Sequence, residues 1–270
     1  MKIKMIAFDM DYTMLGTGGI VSPKTASVLR EAQRRGIVLV PTTGRDLTEM
    51  EDLKDKLMAS YYVTVNGALI TDAKDETVLF KAVPPKEAFL EKLRLAIDIG
   101  IFTEAYCGVC YTDAYSYDNM EKLGIPKDQM HLFTTTRKVV PDLYEFCRAG
   151  EPEKLHIVFQ NPEDKEKRQA PFLGHPDFSY TAAFPHNLEL SKKGIDKAGG
   201  LAALAEILGI KREEIMAIGD GSNDICMIEW AGLGVAMANA VPGAKEVADY
   251  ITLTNDEDGA ALAIEKFCFE

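Results

Sequence analysis

The opening of the chain alternates short unbroken apolar runs with longer amphipathic ones. Met5-Ile6-Ala7-Phe8 runs apolar and stops at Asp9. A run of this kind, without polar alternation, predicts a buried strand. Ser22 to Gly36 predicts a helix: Ser22 caps it, Pro23 takes the first helical position and Gly36 ends it. Ile37–Pro41 reads as a second buried strand, Arg45–Leu57 as a second helix, and Tyr61–Ile70 as a third strand opening a hairpin. After Lys81 the rhythm changes. One helix, Pro85–Gly100, is followed by the paired strands Ile101–Tyr106 and Val109–Asp113, a helix from Asp142 to Gly150, a strand from Lys154 to Asn161, and two more strand-like runs. From Lys193 the alternation returns, with strands at Ile215–Asp220, Leu233–Asn239 and Tyr250–Thr254 separated by helices. The pattern predicts an α/β fold: a Rossmann-like parallel sheet with helices on both faces, and an inserted α+β module. The core is expected over 1–82 and 188–270, and the insertion over 83–187.

Composition narrows the partners. The 270 residues carry a formal net charge of −12 and a pI near 4.9. That balance argues against nucleic acid and anionic membrane as partners, since both require basic surface. No apolar run reaches 18 residues, so no membrane span is expected. The apolar part of the N-terminus is too short for a signal peptide. Five cysteines without framework spacing suit a reducing cytoplasm. Cys107 and Cys110 form a CxxC; with no second pair nearby it reads as a hairpin turn using Gly108, not as a redox pair or half a zinc site.

Four separated features suggest one chemistry. Asp9-Met10-Asp11-Tyr12-Thr13 follows the first strand, where ligands of open α/β sheets bind. Two carboxylates this close need a cation or a proton between them. Asp9 can attack phosphorus as a carboxylate nucleophile, and Asp11 can act as acid and base. In Pro41-Thr42-Thr43-Gly44-Arg45, Thr43 offers a hydroxyl and Gly44 lets backbone N–H groups approach an anion. Lys192, Lys193 and Lys197, at the return to the core, compete for the role of a charge-neutralising lysine. Gly219-Asp220-Gly221-Ser222-Asn223-Asp224 joins carboxylates, glycines and an amide between a strand and a helix. Its oxygen donors suit Mg²⁺, with Asp220 at the strand end as the natural ligand. Each feature also has an ordinary structural explanation: an acidic turn, an N-cap threonine, or a solvated lysine.

Together these motifs resemble the haloacid dehalogenase-like hydrolase superfamily, and within it the Cof-type (type IIB) phosphatases. The likeness extends to Val65-Asn66-Gly67-Ala68 and to the run from Ala231 to Ala261. The resemblance implies that Asp9 is the nucleophile and a metal ligand, and that Asp11 is the acid/base with its carbonyl on Mg²⁺. It selects Lys197 as the catalytic lysine and assigns the phosphoryl group to Thr43, Gly44 and Asn223. Asp220 would bind the metal, Asp224 would bind it or support its shell, and Asn66 and Gly67 would line the site, with Asn239 approaching it. The family usually has glycine where this chain has Tyr12. The insertion would be a cap that selects a small phosphorylated substrate, with Tyr106, Tyr111, Tyr115, Tyr117, His131 and His186 as candidates. His156 and His131 are expected to be packed or solvated. Rival readings are a phosphomutase resembling phosphomannomutase and a phospho-ligand sensor without turnover.

Overall fold

The computed structural model describes every residue except Met1, Asp128 and Ala183. The chain divides into two compact units, one of Met1–Arg45, Met50–Phe80 and Asp196–Glu270, the other of Asp46–Glu49 and Lys81–Ile195.

The first unit is built on a five-stranded sheet. Its spatial order is Tyr250–Ile251, Leu233–Ala236, Ile215–Gly219, Met5–Phe8, Val38–Pro41, and every pairing is parallel. Met5 lies opposite both Ile215 and Val38, and Phe8 opposite Ile218 and Pro41. Met5–Phe8 is sealed on both faces, which is why its sequence does not alternate. A single parallel bridge, Thr42 to Val63, leads to Tyr61–Thr64. That strand pairs antiparallel with Leu69–Asp72, and Val78–Lys81 completes a three-stranded ribbon.

Helix ends follow the sequence signals. Ser22 Oγ accepts from Thr25 N at 3.0 Å to start Pro23–Arg34, and Asp196 accepts from Gly199 N at 2.8 Å to start Lys197–Leu208. The helix expected over Arg45–Leu57 is different. A 3-10 helix, Thr48–Leu53, precedes a short α-helix at Lys54–Leu57. Asp46 explains the tight start: Oδ1 accepts from Thr48 N and Glu49 N, while Oδ2 accepts from Cys110 N.

The second unit holds a six-stranded sheet in the order Phe178–Thr181, Asn187–Lys192, Lys154–Val158, Phe102–Cys107, Val109–Asp113, Lys138–Val140. All pairs are antiparallel except the last. One face is apolar: Ala105, Leu155, Ile157, Leu188 and Leu190 share a core with Phe89, Leu93 and Ala96 of the helix Lys86–Asp98, and with Leu143 and Cys147 of the helix Leu143–Ala149. The expected boundary at 187 falls short. Asn187–Lys192 pairs with Lys154–Val158, so this unit continues to Ile195.

Strand register sets Glu104, His156 and Glu189 in one row. Arg137 bonds Glu104 at 3.0 Å and Glu49 at 2.5 Å; His156 sits between Glu104 at 2.7 Å and Asn187 at 2.9 Å; Lys154 pairs with Glu189 at 2.9 Å. Burial alone would raise both glutamates. Arg137 and His156 instead hold Glu104 far below the usual carboxylate range, and Lys154 and His156 bring Glu189 down to about 2.

The CxxC is a hairpin. Gly108 makes the turn at φ +78°, and Cys107 pairs with Val109 while Cys110 pairs with Tyr106. Adjacent registers send the two thiols to opposite faces. The neighbouring Cys107, together with burial, pushes the Cys147 thiol up.

Candidate active site

The site lies in the first unit, at the carboxyl ends of its parallel strands. Asp9 follows Met5–Phe8, and Asp220 follows the neighbouring strand Ile215–Gly219. Lys197 opens the helix Lys197–Leu208. Its Nζ is fully buried, 2.5 Å from Asp9 Oδ1 and 2.5 Å from Asp224 Oδ1. Lys192 and Lys193, its competitors in sequence, belong to the second unit.

Asp224 is the hub. Oδ1 accepts from Lys197, and Oδ2 accepts from the backbone of Asp220 at 2.9 Å and Gly221 at 2.8 Å. Gly219 makes room for it, since a Cβ there would lie 2.5 Å from the Asp224 side chain. Asp220 Oδ1 accepts from Thr13 Oγ1 at 2.7 Å.

Ligand oxygens of Asp9, Asp220 and Asp224 lie within 4.8 Å of one another, the one such cluster among the described residues. Three carboxylates face one ammonium, so negative charge is in excess. Burial and the neighbouring Asp224 push Asp9 well above the usual carboxylate range, against the pull of Lys197. Burial first, then Asp224, pushes Asp220 up to about 6, although the Thr13 hydroxyl opposes the shift. Lys197 is held charged: Asp224 and Asp9 outweigh the cost of its burial. An all-oxygen donor set short of positive charge fits a hard divalent cation such as Mg²⁺.

Asp11 is turned to a different partner. Arg45 Nε and Nη2 grip its two oxygens at 2.9 and 2.5 Å in a forked pair. Between Asp11 and Thr13 the chain reverses through Tyr12, at φ +59° and 58% exposed. Leu15 N closes this wide turn onto Met10 O at 2.9 Å.

A second cluster forms beside the first. Thr43 is buried, and its Oγ1 accepts from Arg45 N at 3.2 Å. Thr43 O accepts from Asn66 N at 2.9 Å. Asn66 Oδ1 accepts from Asn223 Nδ2 at 3.4 Å and lies 3.0 Å from where a Cβ on Gly44 would stand. Val65, Asn66 and Gly67 are all left-handed, at φ +54°, +53° and +93°. A β-branched residue there is a true outlier, held by Val65 N to Arg45 O at 3.0 Å. Gly67 is required as well, because a Cβ would run into the Asp196 carbonyl.

Besides Asn239, ten core residues singled out from sequence fall in this unit: Asp9, Asp220, Asp224 and Lys197 in one group, Thr43, Gly44, Asn66, Gly67 and Asn223 in another, and Asp11 on Arg45. Sequence reasoning missed Arg45 and Thr13. Both stood inside the motifs quoted, but neither carries a signal that separates it from an ordinary surface arginine or turn threonine.

Four of the candidates in the second unit are engaged within it. Tyr106 is buried beneath Lys154 Nζ, 4.0 Å from its ring centre, and Tyr111 stacks on Phe146 at 4.3 Å. Tyr117 donates to Thr134 O at 2.9 Å, and His186 Nε2 meets Gly124 O at 2.8 Å. Tyr115 and His131 are exposed.

The model of the haloacid dehalogenase-like hydrolases matches residues 6–264. The chain belongs to the haloacid dehalogenase-like hydrolases. Within them it is a Cof-type phosphatase, a hydrolase of phosphate monoesters. It is 32% identical to the 5-amino-6-(5-phospho-D-ribitylamino)uracil phosphatase YcsE of Bacillus subtilis over 97% of this chain and 94% of that one. A haloacid dehalogenase-like hydrolase from B. subtilis superposes with a TM-score of 0.85 at 28% identity, covering 97% and 99% of the two chains. A subclass IIB sugar phosphatase superposes at 0.80 with 25% identity, covering 98% of each. No helix among the described residues is long and apolar enough to cross a membrane.

Proposed function

We propose that the enzyme is a magnesium-dependent phosphatase that hydrolyses small phosphate monoesters through an aspartyl-phosphate on Asp9. The observation that carries this reading is the clustering of the Asp9, Asp220 and Asp224 carboxylates, with the buried Lys197 bonded to Asp9 and Asp224. Asp9 attacks phosphorus, and the leaving oxygen takes a proton from Asp11. Asp11 then draws a proton from water as the water attacks the phosphoryl group on Asp9. Arg45 orients Asp11 through its forked contact. Thr43, Gly44, Asn223 and Lys197 hold the phosphoryl oxygens, and Asn66 and Gly67 shape the wall beside them. Asp9, Asp220 and the Asp11 carbonyl would hold Mg²⁺, with Asp224 fixing Asp220 and Lys197 from within. Bound Mg²⁺ supplies charge neutralisation at the phosphoryl oxygens. In this reading the first unit is the catalytic core and the second is the cap that selects substrate. We assign the reaction to the cytoplasm on the cysteine spacing.

For the substrate we favour phosphate on a polyhydroxylated chain. A relative is named for a phosphoribityl compound and a structural neighbour for sugar phosphates. The test is phosphate release from a panel of sugar and sugar-alcohol phosphates, with Mg²⁺ and with chelator. Mg²⁺-dependent release that is lost in Asp9→Asn supports the reading. Isomerised phosphate without release would favour a mutase, and neither product would favour a sensor.

A further inference from the structure

The turn that carries the acidic pair has an unusual conformation with an external support. Tyr12 occupies the left-handed region at φ +59°, ψ +9°, which non-glycine residues avoid. Its ring is exposed, so packing does not hold it there. Its backbone is gripped instead. Asn239, beyond the strand Leu233–Ala236, donates from Nδ2 to Tyr12 O at 2.8 Å. Asn239 Oδ1 accepts from Asn255 N at 3.1 Å, and Asn255 Nδ2 donates to Leu15 O at 3.0 Å. Two linked asparagines thus hold the turn at its middle and at its end. The residues on either side of Tyr12 are the ones the site uses: Asp11, paired with Arg45, and Thr13, bonded to Asp220.

We propose that Asn239 is a positioning residue, which holds Tyr12 in the left-handed conformation and thereby sets the directions of Asp11 and Thr13. An amide suits the task because one end must donate and the other accept. The consequence for catalysis rests on the phosphatase reading above; the effect on the turn does not.

The test is a double-mutant cycle of wild type, Asn239→Ala, Tyr12→Gly and the double variant, with Asn239→Asp as a fifth protein. Glycine adopts the left-handed region without strain, so it relieves the need for the clamp while leaving the Asn239–Asn255 bond in place. Against wild type, Asn239→Ala should lower kcat on p-nitrophenyl phosphate about fivefold or more, with KM changed less than about twofold. Against the Tyr12→Gly background, the same substitution should lower kcat less than about twofold. Asn239→Asp keeps the acceptor for Asn255 N but loses the donor, and should follow Asn239→Ala. Thermal unfolding of the same proteins, without substrate, should show the same inequality in Tm. Equal losses in both backgrounds, or an Asn239→Asp enzyme like wild type, would overturn the proposal. If wild type releases no phosphate, the phosphatase reading fails and the Tm cycle still decides the role of Asn239.

Discussion

Replacing Lys197 with methionine keeps the volume of the side chain and removes its charge. Two contacts of 2.5 Å, to Asp9 and Asp224, are lost at a fully buried position. At an effective dielectric near 20, each attraction is about 7 kcal/mol before desolvation. The burial of the lysine itself offsets much of that, and removal of one partner from a buried pair typically costs about 3–5 kcal/mol. Three carboxylates would remain within 4.8 Å without an ammonium. In a protein of this size the loss corresponds to a Tm lower by about 6–15 °C. The rate should fall further than stability requires, because in the proposed mechanism the lysine also faces the charge that develops on the phosphoryl group. Removing one such stabilising group costs about 10²–10³ in kcat. The assays are thermal unfolding by circular dichroism and Mg²⁺-dependent hydrolysis of p-nitrophenyl phosphate. Added Mg²⁺ should raise the Tm of the variant more than that of wild type, because a cation then replaces the missing charge. A variant that unfolds within about 1 °C of wild type and keeps a tenth of its rate would refute the charge argument.

Other perturbations act elsewhere in the molecule. Arg45→Ala should lower kcat about tenfold or more, and Arg45→Lys should not restore it, because an ammonium cannot reproduce the forked grip on Asp11; steady-state kinetics at saturating substrate decides. Gly67→Ala should cost about 2 kcal/mol or more in denaturant unfolding, since the new methyl meets the Asp196 carbonyl at a left-handed position. Acid should loosen the second unit. Glu189 moves from 4.5 to about 2 on folding, so its contribution, about 3 kcal/mol, is complete above the unfolded value and is lost as pH falls from about 4.5 to 2. Glu189→Gln should flatten the stability difference between pH 6 and pH 3 in urea titrations; an unchanged pH dependence would exclude Glu189 as a source.

The core was legible because its strands are buried on both faces and end in polar residues. Met5–Phe8 and Ile215–Gly219 announce themselves as apolar runs, and Asp9 and Asp220 mark where each run meets the ligand end of the sheet. Lys197 is different. Nothing in its spacing separates it from Lys192 and Lys193; the resemblance to a family selected it, and the structure buries it between two carboxylates. The forked pair of Arg45 and Asp11 was not legible, because it joins positions 34 apart that only the strand order brings together. The same holds for the row of Glu104, His156 and Glu189, which strand register creates. Four short elements, at Ala114–Asp118, Met130–Thr136, Lys138–Val140 and Pro162–Arg168, also escaped notice. Each is brief enough that periodicity has little to act on. Gly108 makes the CxxC legible as a hairpin, but the thiol beside Cys107, that of Cys147, lies 40 positions further on and leaves no trace in the local sequence.

In the proposed reaction the phosphoryl group passes through Asp9. The most direct test is an acid-quenched single turnover with a sugar phosphate and Mg²⁺, followed by peptide mass analysis. Asp11→Asn should slow breakdown of the intermediate, so the variant is quenched alongside wild type. A peptide carrying Asp9 should be heavier by one phosphoryl group, more abundant in the variant and absent from Asp9→Asn. Release of phosphate by an Asp9→Asn enzyme at an ordinary rate, or a phosphoryl group recovered on another residue, would contradict it.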